Sequence, residues 1–148
     1  MTGLCCGTPF ESKGFFEQAD RKSKQLENAL LTATHGGRLP VLCDTSPCLY
    51  RMRKVMSSLL KMYEPGEFIT RFLLARLNFE KLSDPIALHH TCSNIKMGLE
   101  NHLEAAARAC SREVIVPELV GCCGFAGDRG FNYPELNASA LKALNGAL

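Results

Sequence analysis

Residues 40–50 read Pro40-Val41-Leu42-Cys43-Asp44-Thr45-Ser46-Pro47-Cys48-Leu49-Tyr50, and this run sets the fold class. Pro40 to Cys43 is a short apolar run of the kind that forms a buried strand. Ser46 followed by Pro47 predicts an N-cap with proline at the first helical position, since proline has no N–H to waste there. The helix it opens carries Leu49, Met52, Met56 and Leu59 on one stripe. A strand feeding directly into a helix is half of a βαβ unit.

The same alternation extends in both directions. Upstream, Phe15, Ala19, Leu26, Ala29, Leu30 and Ala33 form a helical stripe that ends at Gly36-Gly37, a C-terminal breaker. Downstream, Lys61 to Pro65 predicts a short strand, and a helix carrying Ile69, Phe72, Leu73 and Leu77 follows it. Pro85 to His89 reads as a strand, and the next helix places Ile95, Leu99, Leu103, Ala106 and Cys110 on one face. Val114 to Val116 is a further strand, and Pro134 opens a last helix running into the C-terminus. Strands separated by helices imply a mostly parallel sheet. The expected class is therefore α/β, as two small repeated lobes with short, mostly parallel sheets flanked by helices. The expected division is residues 1–63, a connecting helix over 64–84, and residues 85–148. The stripes through Met52, Met56 and Phe72 are read as core.

Composition narrows the function. The chain has 148 residues, 46% hydrophobic and 22% charged, with a net charge of +2, a globular profile too weakly charged to argue for nucleic acid or an anionic membrane surface. Met1 to Cys6 shows neither a basic nor an apolar signal region, so it is not expected to be a signal peptide or lipoprotein site. No run reaches the ~18 apolar residues of a membrane span. The eight cysteines, without a secretion signal, point to metal or thiol chemistry over a disulfide framework.

Those cysteines are patterned. Cys5-Cys6-Gly7-Thr8-Pro9-Phe10-Glu11-Ser12-Lys13-Gly14-Phe15 recurs, one residue shorter, as Cys122-Cys123-Gly124-Phe125-Ala126-Gly127-Asp128-Arg129-Gly130-Phe131. Two copies mean two related units, each with its own site and each incomplete at an end of the chain. Adjacent cysteines bridge each other poorly because the eight-membered ring strains the peptide, whereas adjacent thiolates suit a metal cluster. A Cys-Cys-Gly loop ahead of a helix supplies N–H donors that lower thiol pKa values. Lys13 and Arg129 stand ready to offset thiolate charge and tune a cluster. Cys48 falls in the first turn of its helix, and Cys92 falls between a strand and a helix, where α/β sheets build sites. Cys43, at a strand end, is an additional candidate. Cys110 lies on an apolar stripe and reads as core. His89 and His90 could supply a nitrogen ligand or a hydrogen bond to sulfur, or simply finish a buried strand. Glu11 and Asp128 read as loop-capping residues. There is no dinucleotide fingerprint, phosphate loop or flavin pattern.

At these residues the chain resembles the paired cysteine-rich (CCG) domains of heterodisulfide reductase subunits and glycolate oxidase iron–sulfur subunits. It is most similar to the C-terminal part of large FAD- and iron–sulfur-containing D-lactate dehydrogenases. The resemblance covers Cys5 to Phe15, Leu42 to Tyr50, Ala87 to Leu99 and Val120 to Ala140, including Gly-Cys-Cys-Gly-Phe-Ala-Gly-Asp-Arg-Gly-Phe and Pro-Glu-Leu-Asn-Ala-Ser-Ala. It implies an iron–sulfur, electron-transferring portion of an oxidoreductase that oxidises a D-2-hydroxy acid at FAD, with the flavin domain outside this chain. The implied partners are the FAD and ferredoxin-type domains of the parent flavoprotein and a quinone or cytochrome acceptor. The implied location is cytoplasmic, peripheral at the inner face of the membrane. The implied metal ligands are Cys5, Cys6 and Cys48 in the first unit and Cys92, Cys122 and Cys123 in the second. Three thiolates are fewer than the four a 4Fe–4S cluster takes, so binding by this stretch alone is expected to be weak. A zinc-binding or thiol-redox module, or an inactive truncated product, is the alternative.

Overall fold

A computed structural model describes residues 3–117 and 121–144. Met1, Thr2, Val120 and the final run into the C-terminus lie outside the described residues. The chain divides into two compact units, Met1–Phe68 and Ile69–Leu148.

In the first unit the order is α1 (Thr8–Glu11), α2 (Phe16–Ala33), β1 (Val41–Leu42), α3 (Ser46–Val55), β2 (Met62–Tyr63) and α4 (Pro65–Phe68). β1 and β2 pair in parallel, Val41 opposite Met62 and Leu42 opposite Tyr63, with α3 as the crossover that a parallel pair requires. The expected βαβ unit is thus present. Its strand is less buried than expected, because β1 has β2 as its only pairing partner and Leu42 stays 55% exposed. The residue preceding α3 is Thr45, not Ser46; Ser46 is the first helical residue and is buried. Met56 is buried just past the end of α3, and Leu59, expected on its stripe, lies beyond the helix and is exposed.

The core of this unit is Ala19, Leu30, Leu49, Met52, Met56, Leu60 and Met62. The buried face of α2 runs through Ala19, Ser23, Glu27 and Leu30, so two polar residues occupy the stripe where Phe15 and Leu26 were expected. Each has a specific bond to make. Ser23 Oγ donates to the Cys6 carbonyl at 2.6 Å, and Glu27 accepts the Ser57 backbone N–H at 2.6 Å and the Lys24 ammonium at 2.7 Å. A buried polar group so satisfied avoids the desolvation penalty.

The second unit begins with a π-helical turn (Ile69–Leu73) and continues with β3 (Ile86–Ala87), α5 (Cys92–Met97), α6 (Glu100–Cys110), β4 (Val114–Ile115), α7 (Arg129–Asn132) and α8 (Pro134–Ala140). From residue 64 onward, α-helix and π-turn together end at Leu73, well short of the 64–84 helix expected; Phe72 and Leu77 are exposed, not core. β3 and β4 are again parallel, Ile86 opposite Val114 and Ala87 opposite Ile115. The single helix expected from Ile95 to Cys110 is broken at Gly98, which takes φ +66° and caps α5. Glycine adopts this left-handed geometry without the Cβ clash that other residues suffer. The break exposes Ile95 and buries Leu99.

Candidate functional site

The duplicated signature folds the same way twice. Gly7 and Gly124 both take positive φ, +90° and +76°. A Cβ on Gly7 would sit 2.4 Å from the Ala19 carbonyl oxygen, and one on Gly124 would sit 2.4 Å from that of Leu136. In each loop the glycine N–H donates to the first cysteine's sulfur, Gly7 to Cys5 at 3.4 Å and Gly124 to Cys122 at 3.3 Å. In each, a helical side chain holds the second cysteine's carbonyl: Ser23 for Cys6, and Asn137 for Cys123 at 2.8 Å. The glycine is therefore required for close approach of loop to helix, and the loop turns both thiols away from that contact.

In the first unit Cys5, Cys6, Cys43 and Cys48 line one cavity of about 340 Å³, walled by Leu26, Leu30, Val41 and Met52. The loop brings Cys5 and Cys6, the end of β1 brings Cys43, and the first turn of α3 brings Cys48. Cys6 is 4% exposed, and its Sγ lies 2.9 Å from Cys48 Sγ and 3.3 Å from Thr8 Oγ1. The two sulfurs share a hydrogen bond and titrate as a pair. Contact with Cys48 lowers the Cys6 thiol to about 5, with the Thr8 hydroxyl and amide helping against burial. The same contact, reinforced by burial and by the neighbouring thiolates, pushes Cys48 up. Cys43 is also pushed up, first by burial and then by the charges of Asp44 and Cys6, and its thiol donates to the Thr45 carbonyl at 3.5 Å.

A cation serves this loop that the sequence reading missed. Arg51, 3% exposed, donates from Nε to the Cys6 carbonyl at 3.1 Å and to Ser23 Oγ at 3.2 Å. It pairs with Asp20 at 2.8 Å and with Glu11. Burial opposes its charge, and the Glu11 and Asp20 carboxylates more than compensate, leaving its pKa raised. Glu11 is thus an ion-pair partner across the unit in addition to lying in α1. Lys13 and Arg129, the expected charge-balancing residues, are on the surface. The signal for Arg51 was its position one turn after Cys48, on the face that also carries Met52.

In the second unit Cys92, at the start of α5, has its Sγ 3.7 Å from the Gly121 carbonyl. Burial first, then contact with Cys122 and the charge of Cys123, raises its pKa, so these three thiols share one neighbourhood. Cys92 and Cys122 are exposed, and Cys110 is half-buried at the end of α6. Asp128 precedes α7 and makes no side-chain cap bond to it. His90 Nε2 lies 3.2 Å from Glu104 Oε1. His89 Nε2, His90 Nδ1 and Asn94 Oδ1 are buried with no hydrogen-bond partner among the described residues.

Four thiols around an apolar cavity match the donor chemistry of a soft-metal or iron–sulfur centre, which selects thiolate over carboxylate. Among the described residues, no three His, Cys, Asp or Glu side chains are arranged to converge on one ion. A polynuclear cluster takes one thiolate per iron and does not demand such convergence.

No family model matches the chain, and no solved structure matches it. Over 90% of its length it is similar to an iron–sulfur subunit of the anaerobic glycerol-3-phosphate dehydrogenase of Escherichia coli strain K12, at 28% identity over 149 residues. It matches the protein of the same name from Escherichia coli O157:H7 to the same extent. The chain spans 37% of the length of these curated relatives. Among the described residues no helix is long and apolar enough to cross a membrane.

Proposed function

We propose that this chain is an electron-transfer module of a dehydrogenase, holding an iron–sulfur cluster on Cys5, Cys6, Cys43 and Cys48 in its first unit. The observation that carries this reading is the gathering of those four thiols, from a loop, a strand end and a helix start, around one cavity. Cys43 supplies the fourth donor that Cys5, Cys6 and Cys48 lack by themselves. When bound, such a cluster accepts and passes on single electrons. The protein's own contribution is an N–H donor to Cys5, a low-dielectric wall of Leu26, Leu30 and Met52, and a buried guanidinium behind the loop. In the second unit Cys92, Cys122 and Cys123 form a set of three, and a cluster there is expected to be more labile.

The similarity to a glycerol-3-phosphate dehydrogenase subunit supports a role in a dehydrogenase. The Cys-Asp-Thr-Ser-Pro-Cys and Gly-Cys-Cys-Gly-Phe-Ala-Gly-Asp-Arg-Gly-Phe motifs favour a D-2-hydroxy acid such as D-lactate as the parent enzyme's substrate. Both substrates are secondary alcohols that give up two electrons on becoming ketones, so the task downstream is the same. The proposed partners are FAD and ferredoxin-type domains and a quinone or cytochrome acceptor, at the inner face of the cytoplasmic membrane.

The test is anaerobic reconstitution with iron and sulfide, followed by iron and acid-labile sulfide analysis and electron paramagnetic resonance. Cys43→Ser is expected to lose the first unit's cluster signal, and Cys110→Ser to keep it. Stoichiometric zinc without sulfide in the purified protein, or a Cys43→Ser variant with an unchanged signal, would overturn the reading.

A further inference from the structure

We infer that Cys6 and Cys48 form a reversible dithiol–disulfide pair, a two-electron centre that operates when no metal occupies the cavity. Their sulfurs lie 2.9 Å apart, closer than two non-bonded sulfurs rest. Closing that gap to a covalent bond of about 2 Å takes a shift of under about 1 Å. The residues sit on separate elements, the Cys-Cys-Gly loop and the first turn of α3, so a bond between them joins parts 42 residues apart.

The geometry also selects this pair over the other thiols of the cavity. Cys5 is adjacent to Cys6, where a bond would close a strained eight-membered ring, and its sulfur is engaged by the Gly7 N–H. Cys43 directs its thiol to the Thr45 carbonyl. Cys6 is held in place from behind, its carbonyl fixed by Ser23 and Arg51, so its sulfur stays opposite Cys48. The cavity that both line gives a small oxidant a route to them.

The chemistry is thiol–disulfide exchange with a low-molecular-weight disulfide such as glutathione disulfide. One thiolate of the pair attacks a sulfur of the oxidant, breaking its S–S bond and releasing one glutathione as thiolate, which takes up a proton. The second thiolate then attacks the protein sulfur of the mixed disulfide and expels the other glutathione. The two cysteines lose two electrons and two protons, and the oxidant becomes two thiols. A disulfide and a cluster compete for the same sulfurs, so oxidation would lock iron out of the first unit.

The experiment uses the metal-free chain, so that its outcome is independent of whether the cluster reading holds. The protein is incubated with glutathione disulfide, quenched with an alkylating agent, digested and mapped by mass spectrometry. Among the first unit's thiols, the expected linkage is Cys6 to Cys48, reversed by dithiothreitol. Cys43→Ser should still form it, and either Cys6→Ser or Cys48→Ser should abolish the loss of two hydrogens from this unit. A first linkage that involves Cys5 or Cys43, or wild-type chain with all four thiols still alkylated, would overturn the inference.

Discussion

Arg51 is the residue whose removal should matter least in proportion to how buried it is, and the reasoning can be checked with two variants. Its side chain is 4% exposed, whereas Glu11 is 40% and Asp20 73% exposed. Arg51→Met takes the charge out of the interior and strands nothing. The carboxylates turn to water, and the Cys6 carbonyl keeps the Ser23 hydroxyl at 2.6 Å. The loss is some charge-assisted hydrogen bonding, offset by relief of the guanidinium's desolvation, for a net cost of about 1–2 kcal/mol. Glu11→Gln with Asp20→Asn does the opposite. It leaves an ionised guanidinium buried without a counter-charge, which costs about 3–5 kcal/mol. With a urea slope of about 1 kcal/mol per molar for units this small, the first variant should shift the unfolding midpoint modestly. The second should lose most of its cooperative transition. Far-ultraviolet circular dichroism in urea reads both. A double carboxylate variant that unfolds no earlier than Arg51→Met would refute the argument that burial, not pairing, dictates the energetics here.

Other expectations follow from geometry already described. Gly7→Ala and Gly124→Ala should each destabilise their own unit by more than the ~1–2 kcal/mol of left-handed strain, because each Cβ would meet a carbonyl oxygen at 2.4 Å. Gly14→Ala, with φ +83° and open space around it, should show the strain alone, and thermal melts of the three separate the contributions. Glu27 has its pKa lowered by the Lys24 ammonium and the Ser57 N–H. A depressed carboxyl contributes stability above its unfolded pKa and loses it as pH falls through the folded value. Glu27→Gln should thus cost about 1–3 kcal/mol at pH 7 and converge on wild type in acid, which parallel melts at the two pH values would show. Linking Cys6 to Cys48 closes a loop of about 42 residues, and should raise stability by about 4 kcal/mol on the chain-entropy relation. A urea midpoint unchanged by oxidation would contradict that figure.

How far the sequence could be read depended on whether hydrophobicity was the deciding force. The run from Pro40 to Cys48 announced a strand–helix junction because proline, a capping hydroxyl and apolar periodicity all agree there, and the parallel pair β1–β2 follows. The duplicated Cys-Cys-Gly was legible because glycine is irreplaceable where the loop meets Ala19 or Leu136. Polar burial was not legible. Ser23, Glu27 and Arg51 are buried for the sake of specific bonds to the Cys6 carbonyl, Ser57 and two carboxylates, and no periodicity of apolar residues marks such bonds. The break at Gly98 was hidden by an apolar stripe that continues through it. Leu42 and Leu59 were overestimated as core because a two-stranded sheet leaves flanks uncovered. Cys43 looked ambiguous because a strand end can aim a side chain to either face, and only the register with Tyr63 fixes it beside the loop.

The two units present their parts in opposite order along the chain, and a ribosome would meet them differently. In the first, the Cys-Cys-Gly loop is made early, and Cys6 must wait for a partner 42 residues later. At ~5–20 residues per second that is about 2–8 s of an uncovered thiol on the nascent chain. In the second, the strand–helix junction with Cys92 comes first, and its loop emerges 29 residues on. Vectorial synthesis therefore leaves Cys5 and Cys6 as the thiols longest open to capture by whatever reaches them before α3 exists, whether metal carrier, oxidant or chaperone.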